Sequence, residues 1–473
     1  MKNLEKMKRQ SNFFLIIFLF FFHYGSAQDS LKISAREFIS VVKNYHPLAV
    51  KYQLQNKIAA NEIIKARGSF DPVLGGKMGK KNIDGTRYYE QKNIELGIPT
   101  WYGIEVTGSY NDLDGEKLNS SDTKGGLYQW GITVPLAKNL LYDHRRAVLD
   151  QAKFAQKMTE AEQTVLTNDL LLEAENIYWE WVQHYEIYKL KSKIVDINKN
   201  RLQLTKKSFE FGEKAAIDTV EVASQLQNFE LQQREAYLSF VKSTQQLQVF
   251  LWKDGQELYE ISQPIYPSDQ LSEHSAFSDF EFLLQEFRSR EISNHLSIVY
   301  YNQKNNILES ERKLKWQSFL PKLDFTYNFF NKENYRVDYL PLFDQNFQYG
   351  LKLEVPVFQR EARANYQMAK IKISQNLLDT KLKKRELDTK IETYKNEILN
   401  YRTQIDLSEK NLINYQKLLY AEETKHSNGE SSLFLINSRE NKMIDAQEKF
   451  ISVKTKFLKS YNKLKWMKEN FSL

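Results

Sequence analysis

Apolar residues recur along this chain in two rhythms, and each predicts its own kind of element. Between residues 140 and 211, Ala174, Trp181, Tyr188, Val195, Leu202 and Phe209 fall every seven residues. Between residues 358 and 428, Ile391, Ile398, Ile405, Leu412 and Leu419 do the same. A seven-residue apolar stripe is the seam of a coiled coil. The first segment, about 72 residues, would extend about 107 Å as one helix. No proline occurs from Val357 to the C-terminus, so nothing there must break the second.

The other rhythm has period two. Leu323, Phe325, Tyr327 and Phe329 alternate with Asp324, Thr326 and Asn328, and Tyr349, Leu351, Leu353 and Val355 alternate with Gly350, Lys352 and Glu354. Earlier in the chain Tyr128, Trp130, Ile132 and Val134 form such a series, as do Ile94, Leu96 and Ile98, and Ile104, Val106 and Tyr110. Alternation with one wholly apolar face predicts strands between two different environments. Aromatics crowd the apolar faces, as in the girdles of transmembrane barrels. A half-buried sheet in a soluble domain has the same alternation, so the strands alone leave both readings open.

The rhythms repeat as a unit. Ser69-Phe70-Asp71-Pro72-Val73-Leu74 and Ser318-Phe319-Leu320-Pro321-Lys322-Leu323 share S-F-x-P-x-L, and His46, Val50 and Tyr52 match His295, Val299 and Tyr301 at the same offset. At a second offset Ala152-Lys153 matches Ala369-Lys370, and Gly212-Glu213 matches Gly429-Glu430. Val134-Pro135-Leu136 answers Val355-Pro356-Val357 between them. Each half therefore reads as helix, S-F-x-P-x-L, strands, V-P, very long helix, glycine turn, return helix. The first copy carries about thirty extra residues between Leu74 and Gly131, as a further hairpin or as an external loop.

The boundaries follow. Residues 1–27 read as a signal peptide and 28–255 as the first repeat, with a helix (about 31–67), strands at about 73–135, a long helix at about 140–211 and a return helix at about 218–252. Residues 256–277 form a linker or equatorial segment, and 278–473 the second repeat, with strands at about 322–356 and a long helix at about 358–428. The shorter helices are each about half the long one, so that two laid end to end match it. Proline lacks an amide donor and disfavours helix in the residue before it. Pro72 and Pro321 are thus expected to divide helix from strand, and Pro135 and Pro356 to mark the way back.

Composition sharpens this picture. Gly is 17 and Pro only 9, while 27% of residues are charged, a balance that favours long helices. With 27 Tyr and 29 Phe the chain has the apolar mass to order. There is no Cys, hence no disulfide, thiolate nucleophile or lipidated cysteine anchor. Lys2, Lys6, Lys8 and Arg9 precede an apolar run from Phe13 to Phe22, followed by Gly25-Ser26-Ala27, which predicts a secretory signal cleaved before Gln28. The run is too short for a spanning helix, which needs about 20 residues. No later run is long enough either, so a chain crossing a bilayer must do so by strands, and several copies must close the barrel. The formal charge of +7 is spread among mixed signs, which gives no nucleic-acid-binding face.

Taken together, the signal, the duplication, S-F-x-P-x-L before strands, V-P before long helices and glycine turns at matched places resemble the TolC family of outer-membrane channels, over nearly the whole mature chain. The resemblance implies a mainly α fold with β: duplicated strand and long-helix repeats, assembled as a homotrimer into a coiled-coil α-barrel topped by a shared transmembrane β-barrel in outer-membrane lipid. It implies a passive duct for efflux or type I secretion that meets a periplasmic adaptor and, through it, an inner-membrane transporter. A periplasmic coiled-coil spacer without a channel is the competing reading.

In the family the far helix tips narrow the entrance and meet the adaptor. The pattern there resembles Gly, a basic residue two later and Asp six later, which Gly212, Lys214 and Asp218 match. Asp218 is either a pore-entrance residue or an N-cap of the return helix. In the second repeat Gly429 is followed by Ser431, Leu435 and Ser438, where some members carry a basic residue and two acids. These departures remove the expectation of an acidic ring and of a salt-bridged latch.

Catalytic chemistry is not indicated. The seven His lie scattered at 23, 46, 144, 184, 274, 295 and 426 without a metal-binding spacing, and no Gly-rich phosphate loop or G-x-S-x-G occurs. No cofactor, metal or catalytic residue is expected, and the repeat-matched His46 and His295 suit packing or helix solvation.

Overall fold

A computed structural model describes residues 31–259, 264–271, 274–287, 292–332 and 346–468. The expected signal peptide and its cleavage site before Gln28 lie outside the described residues. The chain runs β1 (Leu31–Ile33), α1 (Ala35–Tyr45), α2 (Pro47–Arg67), β2 (Val73–Ile83), β3 (Thr86–Pro99), β4 (Glu105–Asp114), β5 (Gly125–Pro135), α3 (His144–Glu210), α4 (Ala216–Gln248), β6 (Ile265–Pro267), α5 (Ala276–Glu286), α6 (Leu296–Gln317), β7 (Lys322–Lys332), β8 (Phe347–Glu354), α7 (Arg360–Ser427) and α8 (Leu433–Trp466).

The two long helices hold 67 and 68 residues, about 100 Å each. Their seams are buried: Ala174, Trp181 and Val195 on α3, and Ile391, Ile398, Ile405 and Leu412 on α7. Only toward the turn does the first stripe surface, at Phe209. The helices form one layer. Beside the sheet its order is α2, α3, α6, α7; beyond the equator it is α4, α3, α8, α7.

The shorter helices depart from the expected halves. Residues 31–67 do not form one helix: Leu31–Ile33 is a strand parallel to β6, and His46 is extended between α1 and α2. Pro47 imposes that break by disfavouring helical angles in the residue before it. The His46 ring then caps α2, its Nδ1 accepting from the Leu48 amide at 3.2 Å, and His295 caps α6 through the Ser297 amide at 3.2 Å. The matched histidines are helix caps. The long α3 begins at His144 rather than near Leu140, because Asp143 accepts from the Arg146 amide while the Arg146 guanidinium binds the carbonyls of Asn139, Leu140 and Leu141. The return helix α4 spans Ala216–Gln248, and the helical part of the second repeat ahead of its strands is divided into α5 and α6.

The main core lies at the equator, where the shorter helices meet end to end against α3. Phe38, Tyr178, Trp179 and Trp181 are almost wholly buried there. Trp181 Nε1 donates to Thr244 Oγ1 at 2.8 Å and the ring stacks on Phe240. The Tyr178 hydroxyl sits 2.9 Å from both the Ile33 carbonyl and Asp269, and burial followed by the Asp269 charge pushes its pKa up.

Six strands form one antiparallel sheet in the order β2-β3-β4-β5-β7-β8. Four come from the first repeat, so its extra residues add a hairpin to the sheet. Register places Leu74, Ile94, Val106, Ile132, Tyr327 and Tyr349 on one side, with Trp130, Phe325, Leu351 and Leu353. The opposite side carries Asn93, Glu95, Ser109, Thr133, Thr326, Asn328 and Lys352. Pro72 and Pro321 stand immediately before β2 and β7, Pro135 closes β5, and Pro356 follows β8. The phenylalanines of S-F-x-P wedge this junction: Phe70 stacks on Trp101 at 4.0 Å and Phe319 meets Tyr366 edge-on.

Truncating Trp181 to Ala removes a fully buried indole and its hydrogen bond. The expected cost is about 3–5 kcal/mol, read as a lowered thermal midpoint of the helical circular-dichroism signal. An unchanged midpoint would show that the equatorial core does not hold the helices together.

Candidate functional site

The two hairpin turns lie together at the end of the helical layer away from the sheet. Gly212 (φ 76°) ends α3 and Gly429 (φ 81°) follows α7. Both are left-handed, the conformation that closes a helix without a Cβ clash. Lys214 lies half-buried in the first turn. Asp218 is not the N-cap but the third residue of α4, and its carboxylate accepts from the Ala215 amide at 3.2 Å. Ala215 has no side-chain oxygen to complete a capping box, but its carbonyl accepts from the Asp218 amide at 3.1 Å, so the two residues close this helix start together.

The second turn is tied more tightly. Ser432 caps α8 by accepting from the Leu435 amide at 3.4 Å. Ser431 donates its hydroxyl to Glu422, and its carbonyl sits 2.8 Å from His426 Nδ1. Glu422 also faces Arg439 at 3.6 Å. The hydrogen bond from Ser431, then the charges of Lys425 and Arg439, hold the Glu422 carboxyl below its ordinary range. This contribution is present above the ordinary carboxylate pKa and is lost only as pH falls through the lowered one. Leu435 and Ser438 point outward from α8 and belong to no polar cluster.

A salt-bridged link does join the two hairpins, against the expectation from Leu435 and Ser438, but it uses other residues. Arg201 on α3 reaches Glu440 on α8 at 2.7 Å and Glu423 on α7 at 3.5 Å. Asn198 donates to Glu440 at 3.2 Å, and its own carbonyl accepts from Arg201 at 2.9 Å. Glu440 is only 2% exposed. On α4, Glu221 accepts from Asn437 of α8 at 3.3 Å. The signal for these residues was present: Glu440 interrupts the stripe Leu433, Ile436 and Ile444, and Asn198 follows Ile194 and Val195. A polar group in an apolar stripe requires a partner.

Around this polar knot the tip is apolar and uncovered. Phe211 is 80% exposed and Phe434 71%, with Ile217 and Val220 beside them. Among the described residues no group of His, Asp or Glu is placed to hold a metal, and no helix is long and apolar enough to cross a membrane.

No family model and no curated protein matches the chain. Solved structures do. The CmeC outer membrane channel of Campylobacter jejuni superposes with a TM-score of 0.62 at 14% identity, over 92% of this chain and 85% of that one. The outer membrane protein VceC of Vibrio cholerae gives 0.61 at 12% identity, over 92% and 95%. The open-state MtrE outer membrane channel of Neisseria gonorrhoeae gives 0.60 at 11% identity, over 92% and 89%. At such identities the likeness is one of fold: the chain has the TolC-like fold of outer-membrane channels.

Removing Glu440 as Glu440→Ala leaves Arg201 without its buried partner. A loss of about 3–5 kcal/mol is expected there. It should appear as faster amide exchange in the last turns of α3 and the first of α8, with the equatorial amides unaffected.

Proposed function

We propose that three copies of this chain form a passive exit duct through the outer membrane, with the helices extending into the periplasm. The observation that carries the reading is that the sheet and the helical layer run out at the same two edges. The sheet ends at β2 and β8; the layer ends at α2 with α4, and at α7. Strand β2 follows α2 directly, and β8 precedes α7. One edge of a copy is thus made to meet the other edge of the next, and a head-to-tail contact of this kind closes into a ring.

Side chains at both edges support the reading. Along α7 a second seven-residue series exposes Ile371, Leu378, Leu399, Ile413 and Tyr420, interrupted by Arg385, Glu392 and Asp406. Across the layer, α2 exposes Leu54, Ile58 and Ile64, and α4 exposes Ile217, Leu231 and Leu238. Three copies supply eighteen strands, six each, a number that encloses an aqueous channel. From Leu323 to Phe329 the apolar series runs about 20 Å along the strand, about 15 Å of height at a tilt of about 40°, which lies within the apolar band of outer-membrane barrels. The uncovered tip, with Phe211, Phe434, Gly212, Lys214 and Gly429, is the surface for a periplasmic adaptor, which links the duct to an inner-membrane transporter for efflux or type I secretion. Ser431 and Asp218 border the entrance, and the Arg201–Glu440 link holds the hairpins together.

Membrane fractionation with crosslinking tests the assembly. Trimers in the outer-membrane fraction are expected; soluble monomers would favour a periplasmic spacer. Phe325→Arg places a charge on the lipid face, at a cost of about 2–4 kcal/mol near the midplane, and should abolish insertion. Thr326→Arg, on the polar face, should still assemble. Equal assembly of the two overturns the barrel.

The tip has its own test. Gly212→Val and Gly429→Val force a β-branched residue into left-handed angles. Both should leave the trimer in the membrane yet reduce export and adaptor pull-down. Asp218→Ala should alter single-channel conductance if the carboxylate borders the entrance. Unchanged export and conductance in all three variants would dismiss the tip as the working end.

A further inference from the structure

Below the sheet, where α3, α6 and α7 meet, lies a cavity of about 390 Å3. Its cationic wall is Arg312 and Lys313, from the last turns of α6, and no carboxylate lines it. Arg312 pairs with Glu309 at 2.7 Å, which occupies part of its donor fork. Lys313 is exposed and forms no ion pair with a described residue. The apolar wall is Trp316, Tyr366 and Leu141, of which Leu141 is 74% exposed. Tyr142 closes the floor, its hydroxyl fixed by Ser310 at 2.7 Å and Asp150 at 3.2 Å.

A further observation is depth. Trp316 stands six residues before β7, and the apolar band begins at Leu323. The cavity therefore lies where hydrocarbon gives way to headgroups, a layer several ångströms thick. A separate cavity, of about 330 Å3, is lined by Glu105, Thr133 and Asp324 of the polar sheet face and shares no residue with the first.

We propose that the first cavity binds the phosphate-bearing headgroup of a glycerophospholipid. The phosphate sits on Arg312 and Lys313, and the glycerol and first acyl methylenes lie on Trp316, Tyr366 and Leu141. A guanidinium and an ammonium beside aromatic faces suit an anion attached to an apolar tail. The proposal rests on the membrane reading of the sheet.

The test is native mass spectrometry of the full-length protein in non-ionic detergent. It is titrated separately with phosphatidylglycerol, phosphatidylethanolamine, phosphate-free dioleoylglycerol and inorganic phosphate. Both phospholipids should be retained, and the Arg312→Gln/Lys313→Gln double variant should lower their occupancy about tenfold or more. The Lys384→Gln control, on the exposed face of α7, should not. Trp316→Ala should weaken phospholipid retention. Dioleoylglycerol binding as well as the phospholipids would overturn the headgroup assignment. Full displacement of phospholipid by inorganic phosphate would overturn the lipid assignment in favour of a free-anion site. Protein that inserts into liposomes but retains lipid equally with and without Arg312 and Lys313 refutes this inference alone. Protein that does not insert at all refutes the membrane reading first.

Discussion

Everything else in this molecule depends on an unsatisfied row of backbone groups. Strands β2 and β8 are edges, so every second amide and carbonyl along them points away from the sheet without a partner. Water can satisfy such groups; hydrocarbon cannot. A sheet with an apolar band across one side is therefore stable in a bilayer only when its two edges pair within that band. The chain cannot pair them by itself, because the helical layer below holds the edges apart. Under the assembly proposed above the requirement would fall on a neighbouring copy, and the helices that flank the two strand edges, α2, α4 and α7, also carry exposed apolar residues.

The equator explains how such long helices remain in register. Alone, a helix of 67 residues has one buried seam and little to fix its axial position. Here Trp181, Tyr178 and Phe38 gather α1, α3, α4 and the β1–β6 pair at one level. Because α2 and α4 meet there end to end, as do α6 and α8, the joint in each stack is covered by the aromatic core rather than by solvent. The tip is built the other way. Its hairpins are joined by a few polar side chains around Glu440 and otherwise expose phenylalanine, an arrangement that opens more readily than a packed core.

The architecture was legible where a pattern repeats over many residues. The seven-residue stripes marked α3 and α7, the alternations marked β4, β5, β7 and β8, and the paired S-F-x-P-x-L marked the junctions, because each reflects one buried face. Local events against that grain were harder to read. Pro47 is acceptable at the first position of a helix, so the sequence around His46 supports either one helix or two. Leu31–Ile33 becomes a strand only through a partner more than two hundred residues later. At the tip, the glycines were visible because left-handed geometry selects them. Glu440 showed only as a polar break in an apolar stripe, and its partner Arg201 was not legible, since it is an ordinary charged residue on a charged helix until the fold brings α3 and α8 together.

The extra hairpin of the first repeat has a consequence for caliber. Six strands spaced about 4.8 Å apart and tilted about 40° occupy roughly 38 Å of circumference. Four helices side by side, each 8–10 Å from the next, occupy about 32–40 Å. With four strands the sheet would span only about 25 Å, and a ring of such sheets would pinch inward above its helices. With six, the two walls match. A tube built from this chain would be a straight cylinder through the junction, without a funnel or collar, and whatever selects by size would have to do so where the helices converge.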